Sequence, residues 1–285
     1  MFLFKSDTLL KWILWSCTLA VSLLVFLIIF FLVIESLPAL AHISIASFFT
    51  NDTWHPLEGQ YNLSTMIWGT LWATLGAIII AAPLGIFCAI FIQYYAPNSL
   101  AKIIRSIIEL LAGIPSVVYG FWALTVLVPI INQLEPPGAS LLAGIIVLSL
   151  MILPTITLIS NESFARINKH YPLNAHALGL SRWTTIRHIL LPSARNGIST
   201  GIVLATCRAL GETMAVLMVC GNIAQNPSSI FDPIRTLTAN IALEMAYATE
   251  HHRATLFVSG LVLMLVIIIL QFASNRLSGK QHHAQ

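Results

Sequence analysis

Charge is what this sequence has least of. Asp, Glu, Lys and Arg make up 9% of its 285 residues, against 57% hydrophobic, and the mean hydropathy is +0.85. Soluble domains carry about 25% charged residues, so this composition excludes them and leaves a polytopic membrane protein. Cysteine is also sparse. Cys17, Cys88, Cys207 and Cys220 sit in separate apolar stretches, which predicts buried free thiols and neither a disulfide framework nor a metal site. A Gly-x-x-x-x-Gly-Lys-Ser/Thr phosphate loop is absent, so the chain is not a nucleotide hydrolase by that mechanism. No paired-carboxylate, Ser/His/Asp or Cys/His grouping is evident, and the expectation is a non-enzymatic chain that binds no cofactor of its own. The adjacent pairs His251-His252 and His282-His283 read as solvated, without metal.

What is present is a series of apolar runs. Six candidate spans lie near Trp12 to Ile34, Met66 to Ile92, Leu110 to Ile131, Ala139 to Ser160, Gly197 to Ala224 and Ala254 to Ala273. Each reaches about 20 residues, enough for roughly 30 Å of hydrocarbon. Basic residues in short loops stay cytoplasmic. With the N-terminus inside, Lys5, Lys11, Lys102, Arg105, Arg166, Lys169, Arg182, Arg187, Arg195, Arg276 and Lys280 all fall inside, and only Arg235 and Arg253 fall outside. Both termini are then cytoplasmic. Because the net charge of +3 lies beside spans and forms no single patch, it does not point to nucleic acid. The first apolar core exceeds the usual length of a signal-peptide core, about 7 to 15 residues, and is expected to be retained as a span.

Trp12, Trp15, Trp54, Trp68 and Trp72 lie near span ends, where amphipathic rings favour the headgroup zone. An external segment, with Asn51-Asp52 and His55-Pro56, separates the first two spans. The long internal loop 161–196 has more character. A short helical pattern runs up to Gly179; Ser181 can cap a second, with Trp183, Ile186, Ile189 and Leu190 gathered on one side. Two small helices meeting at a glycine bend give an apolar knob suited to a groove in a soluble partner. The alternative is a hairpin lying on the membrane surface.

The strongest local signal is Arg208 with Glu212, inside an apolar run that otherwise reads as a helix. A charge at the bilayer centre costs about 2.5 to 3.5 kcal/mol on insertion scales. Counted from Gly197, Arg208 is about 16 Å and Glu212 about 22 Å along, near and just past the midplane. Glu before Arg is the better helix order, and here Arg comes first. Helix stability is therefore a poor reason for the pair. The guanidinium fork suits a tetrahedral oxyanion, with Glu212 steadying it or accepting a bond from a protonated phosphate. The alternative is a buried ion pair that ties helices together.

A second stretch, Leu111-Ala-Gly-Ile-Pro-Ser-Val-Val-Tyr-Gly120, places a helix-opening Pro115 at the start of the third span. Backbone freed there is tolerated only against protein or a wet cavity, and Ser116 and Tyr119 are candidate polar contacts with a substrate path. A simple packing kink, as at Pro83 and Pro154, is the alternative.

Gly179, followed after nine residues by Ile189, then Leu191 and Pro192, resembles the EAA loop through which ABC-importer permeases dock on their ATPase. The leading Glu-Ala-Ala falls on Leu173, Asn174 and Ala175, so the acidic residue is missing. Together, Gly113-Ile-Pro-Ser-Val-Val-Tyr-Gly120, Arg208-Ala-Leu-Gly-Glu-Thr-Met-Ala-Val216 and Asp232-Pro-Ile-Arg-Thr-Leu-Thr-Ala-Asn240 resemble the PstC-type permeases of phosphate ABC importers, a resemblance that covers about Met66 to Ala273, most of the chain. This resemblance implies an all-α membrane protein with the type I importer fold and a cytoplasmic coupling helix. It implies a helix and external loop over 1–65, the permease domain over 66–274 and a cytoplasmic tail over 275–285. Coupling would fall to Ala175, Gly179, Trp183, Ile189, Leu191 and Pro192. Asp232, Arg235 and Glu244, with Thr236-Leu237-Thr238, would face a docking binding protein.

The implied partners are a PstA-type permease forming a heterodimer, two PstB-type ATPase subunits that use the ATP, and a periplasmic PstS-type phosphate-binding protein. The implied place is a bacterial inner membrane. The expected function is phosphate import by alternating access. Permeation of molybdate, sulfate or phosphonate, and an ion-driven secondary transporter, remain the alternatives.

Overall fold

Small residues every fourth position bring the two central helices together. The computed structural model describes residues 3–50, 53–168 and 170–279. Among these, every extended element is helical: α1 (Leu3–His42), α2 (Ser47–Thr50), α3 (Ser64–Ile90), α4 (Asn98–Gly113), α5 (Ser116–Trp122), α6 (Val128–Leu134), α7 (Leu141–Ala165), α8 (His170–Ala177), α9 (Arg182–Thr185), α10 (Leu191–Leu210), α11 (Met214–Val219), α12 (Leu237–Glu244) and α13 (Glu250–Gly279). Ala73, Ala77, Ala81 and Gly85 form one buried stripe of α3 facing α7. Without Cβ branches the backbones close in, and the Ser149 hydroxyl of α7 reaches the Ala77 carbonyl at 3.3 Å. Helices α5, α6, α10 and α11 complete this core. Helix α1 is exposed on nearly all faces and rests on α13, through an edge-on Phe31–Phe257 contact and a 3.0 Å Arg253–Glu35 ion pair.

Five described segments are long and apolar enough to cross a membrane: Leu9–His42, Ser64–Tyr95, Ser116–Leu134, Leu141–Ala165 and His251–Phe272. The expected continuous fifth span at 197–224 is corrected. Helix α10 starts six residues earlier, at Leu191, with Pro192 just after a π turn that leads into it, and ends at Leu210. The chain then breaks at Gly211–Thr213 and resumes as α11. The third span is corrected as well. Leu110–Gly113 belong to the amphipathic α4, and the crossing begins only at Ser116.

At one end, α2 and α12 pack with Trp54, Tyr61, Leu63 and the start of α13 into a separate apolar cluster. The first N–H groups of α7 are satisfied there by loop carbonyls, Leu141 N–H to Asp232 at 2.9 Å and Leu142 N–H to Ile230 at 2.8 Å. At the opposite end, α8 and α9 flank Gly179, which takes φ +75°, the left-handed conformation the bend requires. The Ser181 hydroxyl accepts the Thr184 N–H at 3.1 Å, the expected cap. Helix α9 then runs through a π turn at Ile186–Leu190 straight into α10, so Arg182 to Leu210 is one unbroken helical rod.

Asn51, Asp52, Lys169, Lys280, His282 and His283, singled out in the sequence, lie outside the described residues. The expectation of four buried thiols is corrected at Cys17, which is exposed on α1; Cys220 is fully buried.

Candidate functional site

Arg208 sits in the last turn of α10, and Glu212 lies within the break. The shared helical face expected for an i,i+4 pair therefore does not exist. The order that is unfavourable in one continuous helix becomes favourable in two. Arg208 meets the negative end of α10, and Glu212 meets the positive end of α11, where its Oε1 accepts the Ala215 N–H at 3.1 Å. Arg208 and Glu212 form no ion pair among the described residues. The guanidinium is exposed, with Nη1 donating to the Thr155 hydroxyl of α7 at a long 3.4 Å. Its fork is left largely open.

The second helix break faces the same region. Tyr119, buried on α5, donates its hydroxyl at 2.8 Å to the Leu111 carbonyl, which also accepts the Ile114 N–H at 3.3 Å where α4 ends. Ser116 is half-buried as the first residue of α5. Gly120 is what lets α5 meet α11: a Cβ there would stand 2.9 Å from Met218 Sδ and 3.0 Å from Ala215 Cα. Beside Tyr119 opens a cavity of about 360 Å³ between α5 and α7, walled by Ile114, Val118, Trp122, Leu150 and Leu153. The structure thus gathers Arg208 and Tyr119 around two interrupted helices, while Glu212 serves the break between α10 and α11.

On α8 and α9 the residues divide by burial. Ala175, Ile186 and Leu190 face inward, the last two packing on Phe164 and Ala89. Trp183 is exposed, so the expected one-sided grouping of Trp183, Ile186, Ile189 and Leu190 is corrected. Gly179 and Pro192 are exposed; Ile189 and Leu191 are half-buried. The outward apolar surface is made by Tyr171, Leu173, Leu178, Leu180 and Trp183, of which Leu178 is 79% exposed.

At the α12 end the polar groups turn inward. Glu244 is buried and holds three partners: Arg235 Nη1 at 2.7 Å, His252 Nε2 at 2.8 Å and Trp54 Nε1 at 2.9 Å. Arg235 also donates to the Asn222 carbonyl at 2.8 Å and to Asn240 Oδ1 at 3.1 Å. Two expectations are corrected here, since His252 is not solvated and Trp54 is a buried donor instead of a headgroup anchor. Thr236, Leu237 and Thr238 are likewise buried, not on the outer face. Asp232 is partly exposed. The Ser229 N–H, then the Ser228 hydroxyl and N–H, all donate to its carboxylate and hold it below the usual carboxylate range.

Sequence reasoning missed Trp54, Thr155 and His252. A lone Trp or Thr in an apolar sequence gives no warning of its partner, although the spacing of His252 eight residues after Glu244 offered a weak one.

Residues 81–281 match the family described as binding-protein-dependent transport system inner membrane component. The chain belongs to this family of transport permeases. It is 45% identical over 244 residues to the probable ABC transporter permease protein YqgH of Bacillus subtilis, covering 82% of this chain and 79% of that one. It is 36% identical over 260 residues to the phosphate transport system permease protein PstC of Xylella fastidiosa, covering 82% and 80%. Among solved structures, a bacterial ABC transporter that imports the acidic polysaccharide alginate aligns over 98% of this chain and 99% of that one, with TM-score 0.68 at 15% identity. That likeness fixes the permease fold.

Proposed function

We propose that this permease is a transmembrane subunit of an ATP-driven phosphate importer, working by alternating access. The observation that carries the reading is the open guanidinium of Arg208 at one end of a helical rod whose other end is the bend bearing Trp183 and Leu178. Arg208 offers a planar fork to a tetrahedral anion, Ser116 and Tyr119 are the polar residues at the other helix break that would line the same path, and Glu212 holds the break between α10 and α11 in shape. The missing acidic residue at Leu173 leaves an apolar contact to an ATPase in place of an ion pair.

The partners that fit this reading are a PstA-type permease completing a heterodimer, two PstB-type subunits that hydrolyse the ATP, and a periplasmic PstS-type phosphate-binding protein. Ala175, Gly179, Trp183, Ile189, Leu191 and Pro192 would carry the ATPase contact, the buried members by shaping it. Asp232 would meet the binding protein, with Arg235 and Glu244 supporting that loop from beneath. The chain lies in a bacterial inner membrane with both termini cytoplasmic, binds no cofactor itself and is not the hydrolase. Residues 1–65 would form an N-terminal transmembrane helix and external loop, 66–274 the permease domain, and 275–285 a cytoplasmic tail.

The test is phosphate uptake by the reconstituted complex in ATP-loaded vesicles. Arg208→Ala and Arg208→Lys are expected to lower uptake roughly 10- to 100-fold, from the loss of charge-assisted bonds worth about 1.5 to 3 kcal/mol. Assembly with the ATPase should be unchanged. Uptake at the unaltered rate would remove Arg208 from the path, and gradient-driven uptake without ATP would refute the class.

A further inference from the structure

The segment leading into α12 is bonded to the end of α11, where the Ile234 N–H donates to the Cys220 carbonyl at 2.8 Å, and α12 itself reaches the Gly211–Thr213 break. Thr238, in the first turn of α12, is buried, and its hydroxyl donates to the Glu212 carbonyl at 2.7 Å. That carbonyl belongs to the break between α10 and α11, where the helical ladder has no acceptor role for it. Thr238 has one hydroxyl proton and spends it on Glu212, so the 3.0 Å contact between Thr236 and Thr238 must run with Thr236 as donor. Thr236 in turn accepts the Ala239 N–H at 3.2 Å, capping α12. The result is a directed chain of hydroxyls from the cap of α12 into the break beside Arg208.

The rest of α12 is clamped. Leu237 N–H donates to the Thr70 hydroxyl of α3 at 3.0 Å, and Arg235 bridges the Asn222 carbonyl, Asn240 and Glu244. A segment held at both ends moves as a unit. The loop that carries Asp232 and Arg235 is thus linked to the far end of α11 through Ile234 and Cys220, and to its near end at Glu212 through the Thr238 hydroxyl; Glu212 also caps α11.

We propose that Thr238 is a positioning residue that couples the loop preceding α12 to the helix break at Gly211–Thr213, relaying binding-protein docking to the anion path. This rests on the importer reading above. It assigns to Thr238 no contact with the anion itself; the residue acts through the Glu212 backbone.

The experiment uses the complete complex in lipid nanodiscs, with ATP hydrolysis measured without and with phosphate-loaded binding protein. In the unaltered complex the loaded protein should raise hydrolysis; no rise there would sink the importer reading itself, independently of Thr238. Thr238→Val keeps the shape and deletes the donor. It should leave basal hydrolysis and binding-protein affinity unchanged while lowering the stimulation about fivefold or more, the lower range of coupling between sites. Thr238→Ser, which keeps the hydroxyl, should restore it. Equal stimulation in the Val variant overturns the relay. So does failure of that variant to assemble, because the hydroxyl would then serve folding, and so does a Ser variant as defective as Val.

Discussion

Glu244 shows how a buried carboxylate is retained in an apolar chain. Its two oxygens take bonds from a guanidinium, an imidazole and an indole that come from three separate stretches of sequence. Breaking a buried pair by removing one partner costs about 3 to 5 kcal/mol, because the remaining charge is stranded. Glu244→Ala is therefore expected to destabilise the α12 end by that amount, read as a large drop in thermal unfolding midpoint in detergent. Trp54→Phe removes one neutral donor and should cost only about 1 kcal/mol. Equal losses for the two would contradict the charge-centred account. None of this was legible beforehand: Trp54 and Glu244 are 190 positions apart, and a residue-by-residue reading placed one in the headgroup zone and the other on a docking face.

Among the elements, the helix breaks decide most. The sequence reading found Pro115 because proline removes a donor in a way that can be seen locally. It did not find the break at Gly211, since apolar residues continue on both sides and hydropathy does not register a lost turn. The charge order was the overlooked clue, being unfavourable in one helix and favourable in two. The meeting of α5 with α11 depends on Gly120. Gly120→Ala is expected to cost roughly 1 to 3 kcal/mol from overpacking against the Ala215 backbone. Met218→Ala should rescue little of it, as thermal unfolding of the double variant would show. Full rescue would mean that only the flexible Met218 tail was in the way.

For the whole molecule, the membrane class, the glycine bend and the family were readable, because composition, a capping serine and short motifs are local properties. The burial pattern of α8 and α9 was not, since it depends on Phe164 and Ala89 from distant helices. It now separates two kinds of substitution. Leu178→Asp, at an outward position, should abolish capture of the ATPase subunits while leaving the unfolding midpoint of the isolated permease unchanged. Leu190→Asp, fully buried, should unfold that end of the protein. Copurification together with a melting curve distinguishes them, and normal ATPase capture by the Leu178 variant would remove this surface from the interface.

From Arg182 to Leu210 the chain is helical without an intervening loop, through its π turn. From Ile186 to Arg208 is about 33 Å at 1.5 Å per residue. A tilt of about 10° around one end would swing the other by roughly 6 Å, comparable with the width of a small hydrated anion. On the importer reading proposed above, a displacement at the Trp183 end would therefore reach the guanidinium directly, because no loop interrupts the helix between them.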